Sequence, residues 1–404
     1  LDTLAAEAQP QVVEWRRWFH ENPELSNREF NTAKKIEEVL REMGLEPQTG
    51  VAHTGIIAVI EGGKPGPMVA IRSDMDGLPV VEQTGLPFAS TRTDVYNGQD
   101  VGVMHACGHD NHMSMLLGAA WVLNSVKEDL AGSVMLIFQP AEEGAPEGEE
   151  GGAELMLKEG IWADSKPEAV FGIHVGIATP GGQIAVKPGP LMAAVDSFEI
   201  TVVGKQSHGA MPWNGVDPIV VASQIVLGLQ TIVSRQVDVT LAPSIVSVGR
   251  ISGGVRNNVI PERVEMEGTI RTFDEEMRRE IHARIENTAR AIASAAGAEI
   301  EFNLPIGYPS VNNDTQLFEQ MLPTLQRVSG DNPVNIITPQ TVAEDFSYFA
   351  NETPGLFLFL GNGPPDVDPT SLPGNHSPYF DMYEPNLEMG VRIFSNLVVD
   401  YLDR

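Results

Sequence analysis

The chain is poor in three things, and each shortage narrows what it can do. Cysteine occurs once, at Cys107, among 404 residues. A lone cysteine forms no intrachain disulfide, so cysteine usage gives no sign of an oxidising compartment. Cations are scarce: 26 Lys and Arg stand against 55 Asp and Glu, a formal charge of −29. Such a surface repels phosphate backbones and argues against nucleic acid as a partner. Long apolar stretches are missing too. No run of about 18 or more apolar residues occurs, so no membrane span or membrane partner is expected. The first residue is Leu1 rather than Met, and no signal peptide is readable. Cytoplasmic and periplasmic or secreted locations, the latter with a leader removed, both stay open.

What is present suffices for large cores. Hydrophobic residues make up 42% of the chain, and 404 residues point to two domains. Residues 11–43 read as an amphipathic helical region broken near Asn22-Pro23. Short apolar runs at 55–61, 68–72, 134–138, 169–173 and 356–360 read as strands, and 113–126 as a helix. Apolar strands alternating with helices predict an α/β sheet covered on both faces. Residues 145–152, rich in Gly and Glu, read as a loop. The middle differs. Strand 197–203, helix 218–234, strands 244–251 and 264–271, helix 274–296 and strand 299–303 follow the ferredoxin-like order. The expected architecture is α/β with two domains: a discontinuous catalytic domain, 1–189 and 304–404, and an inserted α+β domain at 190–303. No internal repeat is evident.

The polar residues fall where those apolar runs end. Residues 69–71 lead into Asp74 and Asp76, 136–138 into Glu142 and Glu143, and 170–173 into His174. Residues 358–360 lead into a Gly-rich loop that reaches His376. In open α/β sheets ligands bind at the carboxyl ends of strands. Cys107 and His109 lie two apart just before a helix. Thiolate and imidazole are both good zinc ligands, and thiolate favours zinc over magnesium or calcium. A lone Cys is ordinarily a small buried hydrophobe, but His105, His109 and His112 surround this one. His112, one helical turn beyond His109, reads as a supporting or structural residue.

Glu142 and Glu143 are adjacent, and neighbouring side chains in extended chain point to opposite sides. One can hold a metal while the other takes a proton from the attacking water. Two solvated glutamates are the plain alternative, disfavoured by the apolar run and Pro140 ahead of them. Asp74 and Asp76 can ligate a metal or orient ligand histidines, and the second role suits them better, Asp76 above all. His208, Asn258 and Arg271, all in the inserted domain, are each unremarkable alone.

Together these motifs resemble the zinc metallopeptidases that include aminoacylases, glutamate carboxypeptidases and bacterial dipeptidases. The nearest likeness is to their amidohydrolase subfamily of hippurate hydrolases, auxin-conjugate hydrolases and N-acetyl-diaminopimelate deacetylases. The likeness spans nearly the whole chain. It runs from His20-Glu21-Asn22-Pro23-Glu24-Leu25 through Asp74-Met75-Asp76-Gly77-Leu78-Pro79, His105-Ala106-Cys107-Gly108-His109-Asp110 and Gln139-Pro140-Ala141-Glu142-Glu143-Gly144. It continues through Gly172-Ile173-His174, Ser207-His208-Gly209, Asn258-Val259-Ile260-Pro261, Ala343-Glu344-Asp345-Phe346 and Asn375-His376.

The resemblance implies two divalent metal ions, zinc first, with manganese, cobalt or nickel as alternatives. Cys107 matches the bridging ligand, where many peptidases of the wider family have Asp. His109, Glu143, His174 and His376 match the other ligands, and Glu142 the general base. The wider family's His-x-Asp motif stands here as Asp74-x-Asp76, and His109 looks like the replacement for the missing histidine. The resemblance further implies that the inserted domain is a lid that mediates a homodimer or higher homo-oligomer. It implies that His208 stabilises the oxyanion, and that Asn258 and Arg271 hold the substrate, commonly by its carboxylate.

The expected reaction is hydrolysis of the amide bond of N-acyl L-amino acids with aromatic or hydrophobic groups. The range extends to ochratoxin-type N-acyl-phenylalanine amides. Trp213, Met192 and Leu191 either line an apolar pocket or simply pack. Two rivals stay open: a metallo-carboxypeptidase or dipeptidase acting on unblocked peptides, and a non-catalytic binding protein on the same scaffold. The combination of Glu142 with a full ligand set speaks against the second.

Overall fold

The computed structural model describes residues 1–176 and 179–404. Two compact units form. Leu1–Gly189, Asn312–Thr338 and Tyr348–Arg404 make the first, and Pro190–Val311 with Pro339–Ser347 the second.

The first unit is built on an eight-stranded mixed sheet. Its strand order is Gln48–Val51, Gly55–Glu61, Ala131–Gln139, Lys64–Asp74, Ala169–Val175, Gly355–Leu360, Ile184–Val186, Val334–Ile336. The four strands from Ala131–Gln139 to Gly355–Leu360 lie side by side and parallel. Their carboxyl ends therefore share one edge. Gly355–Leu360 is buried along its whole length, as a central strand covered by helices on both faces must be. Helices Asp2–Glu21, His109–Ser125 and Leu387–Leu402 pack against one another. Helix Phe30–Glu42 turns Ile36, Val39 and Leu40 inward. The break in the 11–43 region is wider than Asn22-Pro23 suggests, leaving residues 22–29 outside both helices. Glu24 explains part of it: its Oε2 accepts from Asn31 N at 2.8 Å and Thr32 N at 2.9 Å, capping the second helix from a distance.

The second unit holds a four-stranded antiparallel sheet in the order Ser244–Ser252, Arg263–Thr272, Ala194–Val203, Glu299–Asn303. This is the ferredoxin-like order. Helix Glu275–Ala296 begins because Asp274 Oδ1 accepts from Met277 N at 2.8 Å, and it ends at Gly297 with φ 75°. Between these caps, Met277, Ile281, Ile285, Ala289 and Ala293 recur every four residues and face the core. Residues 304–311 stay with this unit instead of leaving at Leu304. Ser197 N bonds Pro305 O at 3.1 Å and Val195 N bonds Tyr308 O at 3.0 Å, extending the sheet's ladder. Residues 339–347 join it as well, tied by Ala193 N to Gln340 O at 3.1 Å.

Helix Pro218–Arg235 is the one described helix of spanning length and apolar composition, although Ser223, Gln224, Gln230, Thr231 and Ser234 interrupt its apolar run. By length and composition it could cross a membrane. Yet Val221, Ala222, Ile225, Leu229 and Ile232 are buried in the core of this unit. Leu191 and Met192 are packed inside, whereas Trp213 is 75% exposed.

Candidate metal centre

The parallel strands deliver their polar ends to one edge of the first unit. His174 sits on Ala169–Val175, and Nδ1 of its ring donates to Val175 O at 2.8 Å. That bond leaves Nε2 with its lone pair free, 3.4 Å from Cys107 Sγ. A zinc-sized ion, bonded at about 2.0–2.3 Å to each, can span such a gap. Burial and the neighbouring His112 hold the His174 ring well below its ordinary pKa, so it is neutral. Two glycines allow this crowding. A Cβ on Gly108, at φ 93°, would meet Val175 Cγ2 at 2.5 Å, and one on Gly176, at φ 112°, would meet Asn375 Oδ1 at 2.2 Å. Asn375 Nδ2 in turn donates to Cys107 O at 2.9 Å and Val175 O at 3.1 Å. His376 follows in the left-handed conformation at φ 66°, its Nε2 3.2 Å from Glu143 Oε1.

Among the described residues five groups of donor atoms each lie within 4.8 Å, and two of these sets contain Cys107: Cys107, His109 and His174, and Cys107, Glu143 and His376. Cys107 belongs to both. Nε2 of His109 has no hydrogen-bond partner among the described residues and faces Glu142 Oε2 at 3.8 Å and Glu143 Oε1 at 4.0 Å. The surroundings are buried and negative. Burial, with Glu143 and Glu142 nearby, pushes the Cys107 thiol well above its ordinary pKa. Burial alone would push His109 down, but Asp74 and Asp76 outweigh it and lift the ring to about 10. Crowded carboxylates, an orphaned imidazole nitrogen and a sulfur donor fit divalent cations.

The supporting residues are equally specific. His112 Nδ1 lies 2.6 Å from Asp74 Oδ1, and its Nε2 accepts from Val175 N at 2.8 Å. Both nitrogens are engaged, so His112 holds the strand carrying His174 and has no lone pair to spare. Asp76 Oδ1 lies 3.2 Å from His109 Nδ1 and accepts from Glu142 N at 3.1 Å; its Oδ2 accepts from Glu143 N at 3.0 Å and from the Ser26 hydroxyl at 2.7 Å. One carboxylate thus orients a donor of each set.

The second unit brings His208 and Asn258 side by side. Strand Ser207–His208 pairs with Val259–Ile260, and Gly209 N bonds Asn258 O at 2.8 Å. His208 Nδ1 accepts from Ala210 N at 3.0 Å, which puts the ring proton on the exposed Nε2. Arg271 lies on the other sheet of that unit, in Arg263–Thr272, bonded to Thr269 Oγ1 and to Ile270 O at 3.0 Å. It has no carboxylate within ion-pair distance among the described residues.

Comparison with known proteins decides the family. The profile of peptidase family M20/M25/M40 matches residues 70–400. The chain belongs to that family. It is 38% identical over 401 residues to thermostable carboxypeptidase 1 of Saccharolobus solfataricus, covering 98% of this chain and 97% of that one. It is 39% identical over 398 residues to N-acetylcysteine deacetylase of Bacillus subtilis, covering 97% of each. A solved dinuclear metal binding peptidase of the M20 family, also from Bacillus subtilis, matches with a TM-score of 0.81 at 36% identity, covering 98% of this chain and 99% of that one. This M20 chain is therefore a metal-dependent amidohydrolase, and two divalent metal ions suit its donor sets.

Some residues of the site escape sequence reasoning. Glu29, Ser26 and Thr54 reach the site only through long-range contacts. Their only trace in sequence is that Ser26 and Glu29 stand in the non-helical stretch after Pro23.

Proposed function

We propose that this M20 protein hydrolyses the amide bond of N-acyl L-amino acids, releasing a carboxylic acid and a free amino acid. The reading rests above all on the two donor sets that share Cys107, with the Glu142 carboxylate beside them. Cys107, His109, His174, Glu143 and His376 hold the two ions. Thiolate and imidazole donors suit zinc, with manganese, cobalt or nickel as alternatives. Bound there, the ions polarise the scissile carbonyl and lower the pKa of water. Glu142 takes the proton of the attacking water and passes it to the leaving nitrogen. His208 offers its Nε2–H to the carbonyl oxygen as charge builds there. Asn258 and Arg271 bind the amino-acid carboxylate; an unpaired, half-buried guanidinium suits that task.

A homodimer through the second unit belongs to the same reading. Edge strand Ser244–Ser252 leaves Ile245 and Ile251 exposed, and helix Pro218–Arg235 leaves Ile219, Val220 and Leu227 exposed. Exposed apolar side chains on an edge strand and on the helix next to it suit an association surface.

The test is Glu142→Gln, assayed on a panel of acetyl, benzoyl, indole-acetyl and ochratoxin-type N-acyl amino acids beside free dipeptides. The variant should retain its metal and lose about 10²-fold or more in turnover. Near-normal turnover removes Glu142 as the base. Preference for free dipeptides makes the protein a carboxypeptidase or dipeptidase instead.

A further inference from the structure

We propose that Glu29 is a positioning residue for the turn that carries Glu142 and Glu143, and so for the Cys107, Glu143 and His376 donor set; this rests on the two-metal reading above. Glu29 is fully buried. Its Oε1 accepts from Ala141 N at 3.0 Å, and its Oε2 accepts from the Thr54 hydroxyl at 2.6 Å. Ala141 has φ 52°, a left-handed conformation that a residue with a Cβ seldom adopts unless its surroundings impose it.

The local chain does not hold this turn by preference. Its three successive amides, of Ala141, Glu142 and Glu143, each meet a carboxylate from elsewhere: Glu29 for the first and Asp76 for the other two. The far end of the same loop is gripped by the neighbouring residues. Asn27 Nδ2 donates to Glu150 O at 3.0 Å, and Arg28 pairs with Glu149 at 2.5 Å. Residues 27–29 therefore clasp the loop at both ends. Asp76 also touches His109, so its removal disturbs both donor sets. Among the described residues, the Glu29 carboxyl accepts from Ala141 N and the Thr54 hydroxyl and bonds none of the donors Cys107, His109 and His174, so its direct hold is on the turn.

The consequence is selective. Loss of Glu29 should weaken the set containing Glu143 and spare the set of Cys107, His109 and His174. The experiment titrates zinc calorimetrically into metal-free wild type, Glu29→Ala, Glu29→Gln and Glu29→Asp, with cobalt absorption read in parallel. Wild type should bind two equivalents. Glu29→Ala should bind the first as wild type does and the second about tenfold or more weakly. Glu29→Gln should restore the second, because its amide oxygen still accepts from Ala141 N. If Glu29→Ala fails to fold, Glu29→Asp decides: its carboxylate is one methylene too short, and the second equivalent should again weaken. Two equivalents bound at wild-type strength by a folded Glu29→Ala or Glu29→Asp would overturn the positioning role. A single equivalent bound by wild type would overturn the two-metal reading beneath it.

Discussion

His20 should make the protein's stability fall as the solution turns alkaline. Its ring is fully buried at the end of helix Asp2–Glu21. Nδ1 lies 2.8 Å from Asp110 Oδ2, and Nε2 lies 3.0 Å from Glu82 Oε1. Both ring nitrogens face carboxylates, so the doubly protonated ring fits the site. Burial alone would push its pKa down, but Asp110 and Glu82 outweigh it and hold it at about 9, against 6.5 ordinarily. A group raised on folding contributes its stability fully below pH 6.5, where both states are protonated. That contribution is lost as pH climbs through about 9. At about 1.36 kcal/mol per pH unit, the full contribution is about 3 kcal/mol. Urea unfolding of the metal-loaded protein between pH 6 and 10 should show this loss, and His20→Gln should flatten it. Other titrating groups act in both proteins and cancel in the difference. A difference that stays flat to within about 1 kcal/mol across that range would refute the charged-ring argument.

Two further outcomes follow from the second unit. Asp196 is buried and bonds Arg278 at 2.6 and 2.8 Å, His282 Nε2 at 2.7 Å and Gly307 N at 3.0 Å. Burial would raise its pKa, but Arg278 and His282 outweigh it and hold the carboxyl below the ordinary range. Its stabilisation is thus present above about pH 4 and lost as pH falls through the lowered value. Asp196→Asn takes from Arg278 its buried carboxylate and leaves it the more exposed Glu275 and the Gly307 carbonyl; it should cost about 3 kcal/mol in urea unfolding at pH 7, and a cost under about 1 kcal/mol would contradict it. Sedimentation equilibrium should give the mass of a dimer, and Leu227→Glu should shift it toward a single chain; a wild-type mass of one chain rules out the association surface.

Five strands of the eight-stranded sheet were legible because their signal is local, whereas Gln48–Val51, Ile184–Val186 and Val334–Ile336 are too short to show an apolar run. Each apolar run is long enough to declare a strand, and parallel strands must place their carboxyl ends together. The same rule gathers Asp74, Glu142, Glu143 and His174 without knowledge of any contact. The inserted sheet is legible through alternation in Ala194–Val203, buried at every second position. What depends on distant partners is hidden. The bond from Glu29 to Ala141 crosses 112 residues, and that from His112 to Val175 crosses 63. Residues 304–311 carry no strand pattern, because single backbone bonds rather than an apolar run tie them to Ala194–Val203. Hairpin Thr93–Tyr96 with Gln99–Gly102 is short and largely exposed, so it shows no apolar alternation.

The identity of the shared donor has its own logic. Asp74, Asp76, Glu142 and Glu143 already crowd carboxylates into a largely buried volume. The crowding is visible at Glu29, which burial and Asp76 push up to about 8. An aspartate at the position of Cys107 is the instructive comparison. An aspartate there would meet the same burial and the same carboxylates, and its charge would add to the repulsion in the metal-free chain. A thiol, driven upward by burial and by Glu143 and Glu142, stays neutral until a cation displaces its proton. On the two-metal reading, the negative charge at the bridge then arises only when there is positive charge to meet it. One cysteine is enough for this, because Cys107 alone belongs to both donor sets.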